Sequence, residues 1–324
     1  MKRRSFLQAL PLTAAGLSVA QAQDAFHSKP IRMVVAFAAG GPADIFARVF
    51  AQPFGEALGQ PVVIDNRSGG GGAVGSQAVI AAPADGYTLI FHSSSSAVYS
   101  AITREPHPFD PVKAFDPVAL VGISPFVLAV GPNVKAATLA QLVEQAKRNP
   151  GAMSYGSAGT GSSIHVVGEL FKQRAGNLQI THVPYRGSGP AINDTMAGTV
   201  DFTIDTYSTL LQNHRSGRMR ILAVLADKRS AVAPEIPTAR EQGIDVAGYT
   251  YNLVSAPART PADRIERLAA AAQKVMNTPA MLAKVREMGI EPVIDSGPRQ
   301  TREFIAREVA TFTPVIKAAK IVAE

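Results

Sequence analysis

The amino-acid sequence predicts an α/β protein of two lobes, built mainly of parallel sheets covered by helices. After about 22 residues, segments with the spacing of strands alternate with segments that have the spacing of helices, a pattern typical of parallel sheets. About 300 of the 324 residues then remain. This is more than a single core normally holds, so we expect two lobes of similar size.

The first residues have the features of an export signal. Residues 2–4 are Lys-Arg-Arg, residues 6–19 carry no charge, and residues 20–22 are Ala-Gln-Ala, with small side chains at the cleavage positions. The apolar stretch is shorter than the about 20 residues of a membrane-spanning helix. We therefore predict a signal peptide over residues 1–22 and a periplasmic location. The run Arg3-Arg4-Ser5-Phe6-Leu7 fits a twin-arginine signal, and a basic signal of the general secretory route has the same features.

Composition narrows the classes of function. The chain has a formal net charge of +7 and no cysteine, which excludes disulfides and thiol chemistry. A mildly basic protein suits an anionic ligand. Its Lys and Arg residues are scattered rather than clustered, so we expect no nucleic-acid partner. No run after the signal peptide is long and apolar enough to span a membrane, so no membrane-embedded part is expected.

The first lobe is predicted over residues 23–124 and 248–324. Its early part contains strands at 31–37, 61–64 and 87–91 and helices at 43–58 and 73–82. Pro53 inside the first helix predicts a kink or an early stop, because proline lacks the N–H of the helical hydrogen bond. The chain returns to this lobe through residues 248–254 and ends in helices at 261–277, 279–288 and 299–321.

The second lobe is predicted over residues 125–247. A strand at 126–130, after Gly122 and Pro125, crosses into it. The alternation then continues with helices at 139–148, 162–175 and 190–197 and strands at 153–155, 180–183, 200–204 and 219–225. The connections at the two lobe boundaries make two crossover segments.

Three loops share one design, in which a strand ends, glycines and serines follow, and a helix begins. Backbone N–H groups at a helix start are unpaired and carry a partial positive charge, so they favour carboxylates or phosphates. Ordinary α/β connections have the same appearance, so each loop is weak evidence alone. The candidate ligand-binding residues of these loops are Phe37, Ala38, Ala39, Gly40, Gly41 and Asp44 in the first, Ser157, Ala158, Gly159, Thr160, Gly161, Ser162 and His165 in the second, and Tyr185, Arg186 and Gly187 in the third.

Local features refine these candidates. With Gly41 as the N-cap, Pro42 occupies the first helical position and Asp44 the third. Pro190 is expected at the first position of the helix after the third loop. The second loop lacks the lysine of a nucleotide-binding P-loop.

Other candidates lie at strand ends or keep two interpretations. Asp205 follows a strand end, where open α/β sheets place their ligands. Ser93 and Ser94 offer further hydroxyl donors or form a flexible serine loop. His165 is either a ligand contact or a packed, hydrogen-bonded histidine, and Arg186 either pairs with an acid or is solvated at the rim.

The sequence contains few of the residue patterns that are typical of catalytic sites. The sequence has no G-x-S-x-G motif and no cysteine nucleophile. Its histidines show no paired metal spacing. The residue types of a catalytic triad are present at Ser157, His165 and Asp205. A periplasmic serine hydrolase is therefore a rival hypothesis.

An ordered series of motifs resembles the extracytoplasmic receptors of tripartite tricarboxylate transporters, the Bug or TctC-like family. The resemblance runs from Lys29 to the C-terminus. Its motifs are Lys29-Pro30-Ile31-Arg32, Gly40-Gly41 with Asp44, Leu58-Gly59-Gln60-Pro61-Val62-Val63, Asn66-Arg67 with Gly69-Gly70-Gly71 and Gly75, Ala82-Pro83-Ala84-Asp85-Gly86-Tyr87-Thr88-Leu89, the segment 157–165, Tyr185-Arg186-Gly187, Ala197-Gly198, and Pro237-Thr238 after Lys228-Arg229-Ser230.

The resemblance implies a periplasmic-binding-protein fold of the Venus-flytrap type, close to type II, with two crossover segments and a ligand in the cleft. It implies a monomeric, non-enzymatic protein without cofactor or metal, which captures a di- or tricarboxylate, an acidic amino acid or an aromatic acid. The implied partner is the membrane permease of a tripartite transporter, or alternatively a sensor-kinase ectodomain. The chain departs from the family pattern at Pro42, Pro53, Tyr251 and the serines at 93–96, which leaves the ligand open.

Overall fold

A computed structural model describes residues 28–37, 39–104, 106–185, 187–230 and 233–322. The predicted signal peptide lies outside these residues. The strands before the first crossing are β1 (Ile31–Val35), β2 (Val62–Asn66) and β3 (Thr88–Ser93), and the helices are α1 (Pro42–Leu58), α2 (Ala73–Ile80) and the short α3 (Ser100–Ile102). A 3-10 turn at Gly70–Gly72 precedes α2, and a π-helical turn at Ser95–Tyr99 precedes α3.

A 16-residue strand, β4 (Phe115–Val130), leads into the second lobe. There the helices are α4 (Leu139–Arg148), α5 (Ser163–Arg174), α6 (Ser188–Ala197) and α7 (Tyr207–Arg215), and the strands are β5 (Met153–Ser157), β6 (Ile180–Pro184), β7 (Phe202–Thr206) and β8 (Arg220–Leu225). A 3-10 turn at Arg240–Gln242 follows. The chain returns through β9 (Tyr249–Pro257), and the remaining elements are α8 (Ala262–Met276), α9 (Pro279–Glu287), β10 (Glu291–Pro292) and α10 (Pro298–Ala318).

The sheet is mixed, and the expectation of mainly parallel sheets is wrong. Its strand order is β2-β1-β3-β9-β4-β7-β5-β6, with β8 and β10 also paired to β4. β1 is parallel to β2 and β3, and β5 is parallel to β6 and β7. β4 and β9 are antiparallel to every strand they pair with. The chain leaves the first lobe on β4 and returns on β9, so these two neighbours must run in opposite directions.

β4 serves both lobes. Residues from Phe115 to Pro125 pair with β9, while Phe126 to Val130 pair with β7 and β8. The sequence predicted only the second of these parts. Pro117 and Gly122 weaken the strand signal of the first part, and the register with β9 shifts near both of them. Such irregularities allow a strand to bend where it passes from one lobe to the other.

The pairing register brings the strand ends of the two lobes to one place. Ser93, at the carboxyl end of β3, is level with Asn252, and Asn252 is level with Gly122 of β4. Thr206, at the carboxyl end of β7, is level with Phe126. These two points on β4 are four residues apart, about 13 Å at ~3.3 Å per residue. The carboxyl ends of β3, across β9, and of β7 are therefore level with this stretch of β4, and β1 and β5, which precede the first and second loops, are the next strands outward on the two sides.

Helix α10 packs against both halves of the molecule. Near its start, Phe304 and Ile305 join an apolar cluster with Tyr251 and Leu253 of β9. Near its end, apolar side chains join the core that α4 and α5 form on the second sheet: Phe312, Val315 and Ile316. The sequence placed this helix in the first lobe alone, whereas its packing is divided between the lobes.

Two prolines test the expectations for the helices. α1 begins as predicted, with Gly41 as N-cap and Pro42 in the first position, but it does not stop early at Pro53 and ends only at Gly59, which has a left-handed φ of 73°. α6 begins at Ser188, so the expectation that Pro190 occupies its first position is wrong. Pro190 is the third helical residue, where the N–H would have no helical partner in any case. Among the described residues, no helix combines the length and apolarity that crossing a membrane requires.

Candidate functional site

The buried carboxylate of Asp44 fixes the backbone of the first loop. Its Oδ2 accepts hydrogen bonds from the Gly40 N–H at 2.8 Å and from Arg48 Nε at 2.9 Å, and its Oδ1 accepts one from Asn66 Nδ2 at 2.9 Å. Asn66 Nδ2 also donates to the Phe37 carbonyl oxygen at 3.0 Å. The hydrogen bond from Arg48, with those from Gly40 and Asn66, lowers the pKa of Asp44 to about 2 against the opposing effect of burial.

This network defines what the first loop offers a ligand. Asp44 is only 2% exposed, and both of its oxygens already accept hydrogen bonds. Gly40 has a left-handed φ of 81°, and Gly41 has no side chain with which to cap α1. The loop therefore offers a ligand the backbone groups of a helix start. The negative charge of Asp44 beneath the loop is balanced by Arg48. Ala38 lies outside the described residues.

The second loop rests on two stacked histidines. The hydroxyl of Ser157 lies 2.6 Å from Nε2 of His182, and the Gly161 N–H donates to Nδ1 of His165 at 3.1 Å. The two imidazoles stack with their centroids 3.7 Å apart and their planes 9° apart. Both ends of the loop are thus anchored to one pair of rings. Ser162 caps α5 by accepting a hydrogen bond from the His165 N–H at 3.2 Å.

Both histidines are held neutral at pH 7. Burial lowers the pKa of each to about 4, with Lys172 adding to the effect at His165 and His165 adding to it at His182. Because Nδ1 of His165 accepts the Gly161 N–H, the proton of this neutral ring is on Nε2. His165 is 7% exposed, which is the packed, hydrogen-bonded arrangement.

His182 is a functional candidate that the sequence did not reveal. It lies on β6, level with Tyr155 of β5, and the Tyr155 ring packs against it with centroids 5.0 Å apart and planes tilted by 34°. Its proximity to Ser157 depends on the pairing of β5 with β6, which no local pattern encodes. The same holds for Asn66, which reaches Asp44 and Phe37 from the end of β2.

The triad drawn from the sequence does not form as drawn. Ser157 is fully buried and bonds to His182 rather than to His165. Nδ1 of His165 is already an acceptor for Gly161. Asp205 Oδ1 accepts a hydrogen bond from the Thr206 N–H at 2.6 Å.

The third loop is joined to the second. The Tyr185 N–H donates to the Ser157 carbonyl oxygen at 3.0 Å, and the Gly187 N–H donates to the Ala158 carbonyl oxygen at 3.3 Å. The Tyr185 hydroxyl donates to Asp194 Oδ2 at 2.6 Å. Of the second loop's hydroxyls, that of Thr160 lies on an exposed residue. Arg186 lies outside the described residues.

Two other predicted positions lie at strand ends. Ser94 is fully buried, and its hydroxyl lies 2.9 Å from that of Thr250 on β9, while the Ser93 N–H donates to Ser96 Oγ at 3.0 Å. A π-helical turn replaces the flexible serine loop. Asp205 is 5% exposed, its Oδ2 has no hydrogen-bond partner among the described residues, and burial raises its pKa.

The described contacts group the loops within each lobe. A Cβ on Gly72 would lie 2.5 Å from Ser96 Cβ and 3.4 Å from the Phe37 ring, so the first loop, the glycine turn and the serine turn pack together. A Cβ on Gly159 would lie 3.1 Å from the Tyr185 carbonyl oxygen, so the second and third loops also lie close together. Among the described residues, no group of three His, Cys, Asp or Glu side chains could hold a metal ion.

Comparisons with known proteins agree with this architecture. The model of the tripartite tricarboxylate transporter family receptor, TctC, matches residues 46–321. BugT of Bordetella pertussis is 35% identical over 308 residues, which cover 94% of each chain. The structure of Rpa4515 from R. palustris with adipate has a TM-score of 0.78 and 32% identity, covering 91% of this chain and 98% of that one. MatC from Rhodopseudomonas palustris, with bound malate, has a TM-score of 0.77 and 26% identity, covering 90% of this chain and all of that one. These similarities confirm the two-lobed periplasmic-binding-protein fold.

Proposed function

This chain belongs to the tripartite tricarboxylate transporter receptor family, and from that premise we propose that it captures a small dicarboxylate in the periplasm for uptake by a membrane permease. Family members and structural relatives are receptors and binding proteins, so the chain is a binding protein and not an enzyme. Adipate and malate, bound by two relatives of known structure, both carry two carboxylates. The observation that carries the proposal is that the carboxyl ends of β3 and β7, one strand from each lobe, are level with the Gly122–Phe126 stretch of β4, with β1 and β5 as their outer neighbours.

In the proposed complex, one carboxylate binds the first loop. The donors are backbone N–H groups at the start of α1, where the partial positive charge favours an anion, while the Gly40 N–H stays bonded to Asp44. Asp44 takes part by holding the loop, because its own oxygens are occupied. The fixed loop loses little conformational freedom on binding, which favours affinity.

The other carboxylate binds the second loop when the lobes close. The start of α5 and the exposed Thr160 hydroxyl supply donors there, on a loop anchored by His165 and His182. The proposed remainder of the site consists of the third loop at Tyr185 and Gly187, Asp205 and the serines after β3. Hydrogen bonds to a charged group contribute about 1.5–3 kcal/mol each, and micromolar affinity needs about 8 kcal/mol. Three or four such bonds, less the cost of ordering, are therefore enough.

A thermal-shift screen tests the proposal. Linear dicarboxylates of four to six carbons should raise the melting temperature, and ligand at 100 times its Kd should stabilise the protein by about 2.7 kcal/mol. The matching diamides should have no effect, since they lack the charge that a helix start favours. Thr160→Val should weaken binding at least about tenfold, because a hydrogen bond to a charged group contributes about 1.5 kcal/mol or more. Thr181→Val, a change at another exposed threonine, is the control and should leave affinity unchanged.

The same samples test the hydrolase rival. An NMR spectrum of each bound acid, and of its methyl ester, should show no product after prolonged incubation. Diamides that stabilise as strongly as the acids, or a melting temperature that no acid changes, would contradict the proposed function.

A further inference from the structure

Three tyrosines and one glutamate, all buried except the half-buried Tyr249, form a polar cluster beside the crossover between the lobes. Tyr249 and Tyr251 lie on β9, Tyr99 ends the π-helical turn after β3, and Glu308 lies on α10. Tyr99 and Tyr251 are at most 1% exposed and Glu308 is 4% exposed. We call these four residues the hinge cluster.

The position of the hinge cluster follows from the strand register. Tyr249 is level with Pro125 of β4 and Tyr251 with Ile123, at the point where β4 leaves one lobe for the other. Glu308 lies on α10 between Phe304, which packs in the first lobe, and Phe312, which packs in the second. The cluster therefore sits where the packing of the molecule changes from one lobe to the other.

The walls around the cluster are apolar and aromatic. The Phe304 ring lies edge-on to Tyr251, with centroids 4.8 Å apart, and the Phe312 ring lies edge-on to Tyr99 at 5.4 Å. Such rings offer no strong acceptor or donor to a phenol or a carboxylate. A polar atom enclosed by them therefore needs a hydrogen-bond partner from the cluster itself or from water.

Only part of that need is met by direct contacts. The Tyr249 hydroxyl donates to Glu308 Oε1 at 3.0 Å. Three further oxygens are buried and have no hydrogen-bond partner among the described residues: Tyr99 Oη, Tyr251 Oη and Glu308 Oε2. Buried polar groups in native proteins are almost always paired, with protein or with ordered water, because an unpaired one pays the full cost of desolvation.

The three oxygens share one electrostatic environment. Besides burial, the charge of Glu308 raises the pKa of both Tyr99 and Tyr251, and Tyr249 adds to the effect at each. Burial raises the pKa of Glu308 itself to about 7, against the opposing effects of the Tyr249 hydrogen bond and the Arg307 charge. The two phenols and Glu308 therefore belong to one cluster, although no direct hydrogen bond joins these three oxygens.

We propose that the hinge cluster is a binding site for internal water, which bridges Glu308 Oε2 to the hydroxyls of Tyr99 and Tyr251. Water matches the three oxygens because it donates to Glu308 when this group is ionised, accepts from it when it is protonated, and bonds to phenols in either role. Buried waters typically make about three hydrogen bonds of this kind. A metal cation matches less well, since hard cations take about six oxygen ligands and the cluster supplies one carboxylate and three neutral phenols. The bridging water ties β9, the turn after β3 and α10 together at the crossover.

Phenylalanine variants test the site through the sign of a stability change. A phenol that bonds to water loses that bond in Tyr99→Phe or Tyr251→Phe, so each variant should melt at a lower temperature than the wild type. If the phenol has no hydrogen-bond partner, the variant should melt at a higher temperature than the wild type. Its removal then takes away a buried polar group whose desolvation no hydrogen bond offsets. Tyr155→Phe is the control for a satisfied buried phenol, since the Tyr155 hydroxyl donates to Glu169 at 2.9 Å in the second lobe.

We expect the two cluster variants to fall by an amount comparable to that of Tyr155→Phe. A crystal structure of the wild-type protein at 2 Å or better should show water density within 3.2 Å of Glu308 Oε2 and of both phenol oxygens. A melting temperature that rises or stays unchanged in either variant would overturn the site. Density for an ion with six short oxygen contacts, or no density between the three oxygens, would overturn it as well.

Discussion

Asp44 and His182 support the two main ligand loops in the same way, although they differ in charge. Each is a polar side chain beneath a loop and bonds to that loop's backbone or hydroxyl groups: Asp44 to Gly40, and His182 to Ser157. Neither offers its bonded atoms to a ligand. Their effect on affinity is therefore indirect and acts through the shape of the loop.

Replacing Asp44 tests this at the first loop. Asp44→Ala removes the acceptor of three hydrogen bonds and should lower the free energy of unfolding by about 2 kcal/mol, measured by urea titration. It should also weaken ligand binding, because Gly40 and Asn66 lose their common partner. Asp65→Ala is the matched control: Asp65 also pairs with arginines, but at the surface, where such pairs contribute about 0–1 kcal/mol. Equal losses in the two variants would contradict a special role for Asp44.

The stacked histidines predict how stability depends on pH. Their pKa values are about 4 in the folded protein against an ordinary value of 6.5, so between pH 6.5 and 4 the unfolded chain binds more protons. Stability should therefore fall as the pH drops through this window, and the pair should have no effect above it. Urea titrations at pH 7.5 and 4.5 measure the loss.

Two variants isolate the contribution of His182. His182→Gln keeps a donor near Ser157 and cannot titrate, so it should lose less stability than the wild type on going from pH 7.5 to 4.5. His107→Gln, at an exposed histidine, should lose as much as the wild type. An unchanged loss in His182→Gln would mean that the imidazole pair is not what responds to acid.

Among the elements, α1 shows how tertiary contacts outweigh a local signal. Pro53 removes the hydrogen bond to the carbonyl of Val49, yet the helix continues to Leu58. Phe46, Phe50 and Phe54 are fully buried on its inner face and pack with β1 and β3. The burial of these rings stabilises the helix beyond the proline, which a reading of propensity alone could not anticipate.

Pro53→Ala measures what that proline costs. Alanine restores the missing N–H and removes the ring clash, so the free energy of unfolding should rise by about 2 kcal/mol, less the smaller entropy effect on the unfolded chain. Pro42→Ala provides the contrast, since proline at the first helical position is favourable and its loss should not stabilise. A fall in stability in Pro53→Ala would show that the proline ring itself is needed for packing.

At the scale of the whole molecule, the sequence predicted what depends on local pattern. The alternation of strands and helices, the start of α1 at Gly41 and the glycine-rich loop before α5 are all found. The direction of β4 and β9 was missed, because proline and glycine conceal the first half of β4 and strand direction is a property of the pairing.

The contacts beneath the loops were missed for a related reason. His182 and Asn66 come from neighbouring strands, and their approach to the loops is set by the register of β6 and β2. The division of α10 between two cores likewise depends on the placement of the second lobe. Local chemistry could thus suggest the loops but not the side chains that hold them.

Calorimetric titration of the purified protein with a linear dicarboxylate and with its diamide tests the central claim most directly. The claim is that helix starts of both lobes bind the two carboxylates of one ligand. It predicts saturable binding of one acid per chain with micromolar or tighter affinity, and no saturable heat with the diamide. Equal binding of the diamide, or no saturation with any dicarboxylate of four to six carbons, would contradict the claim.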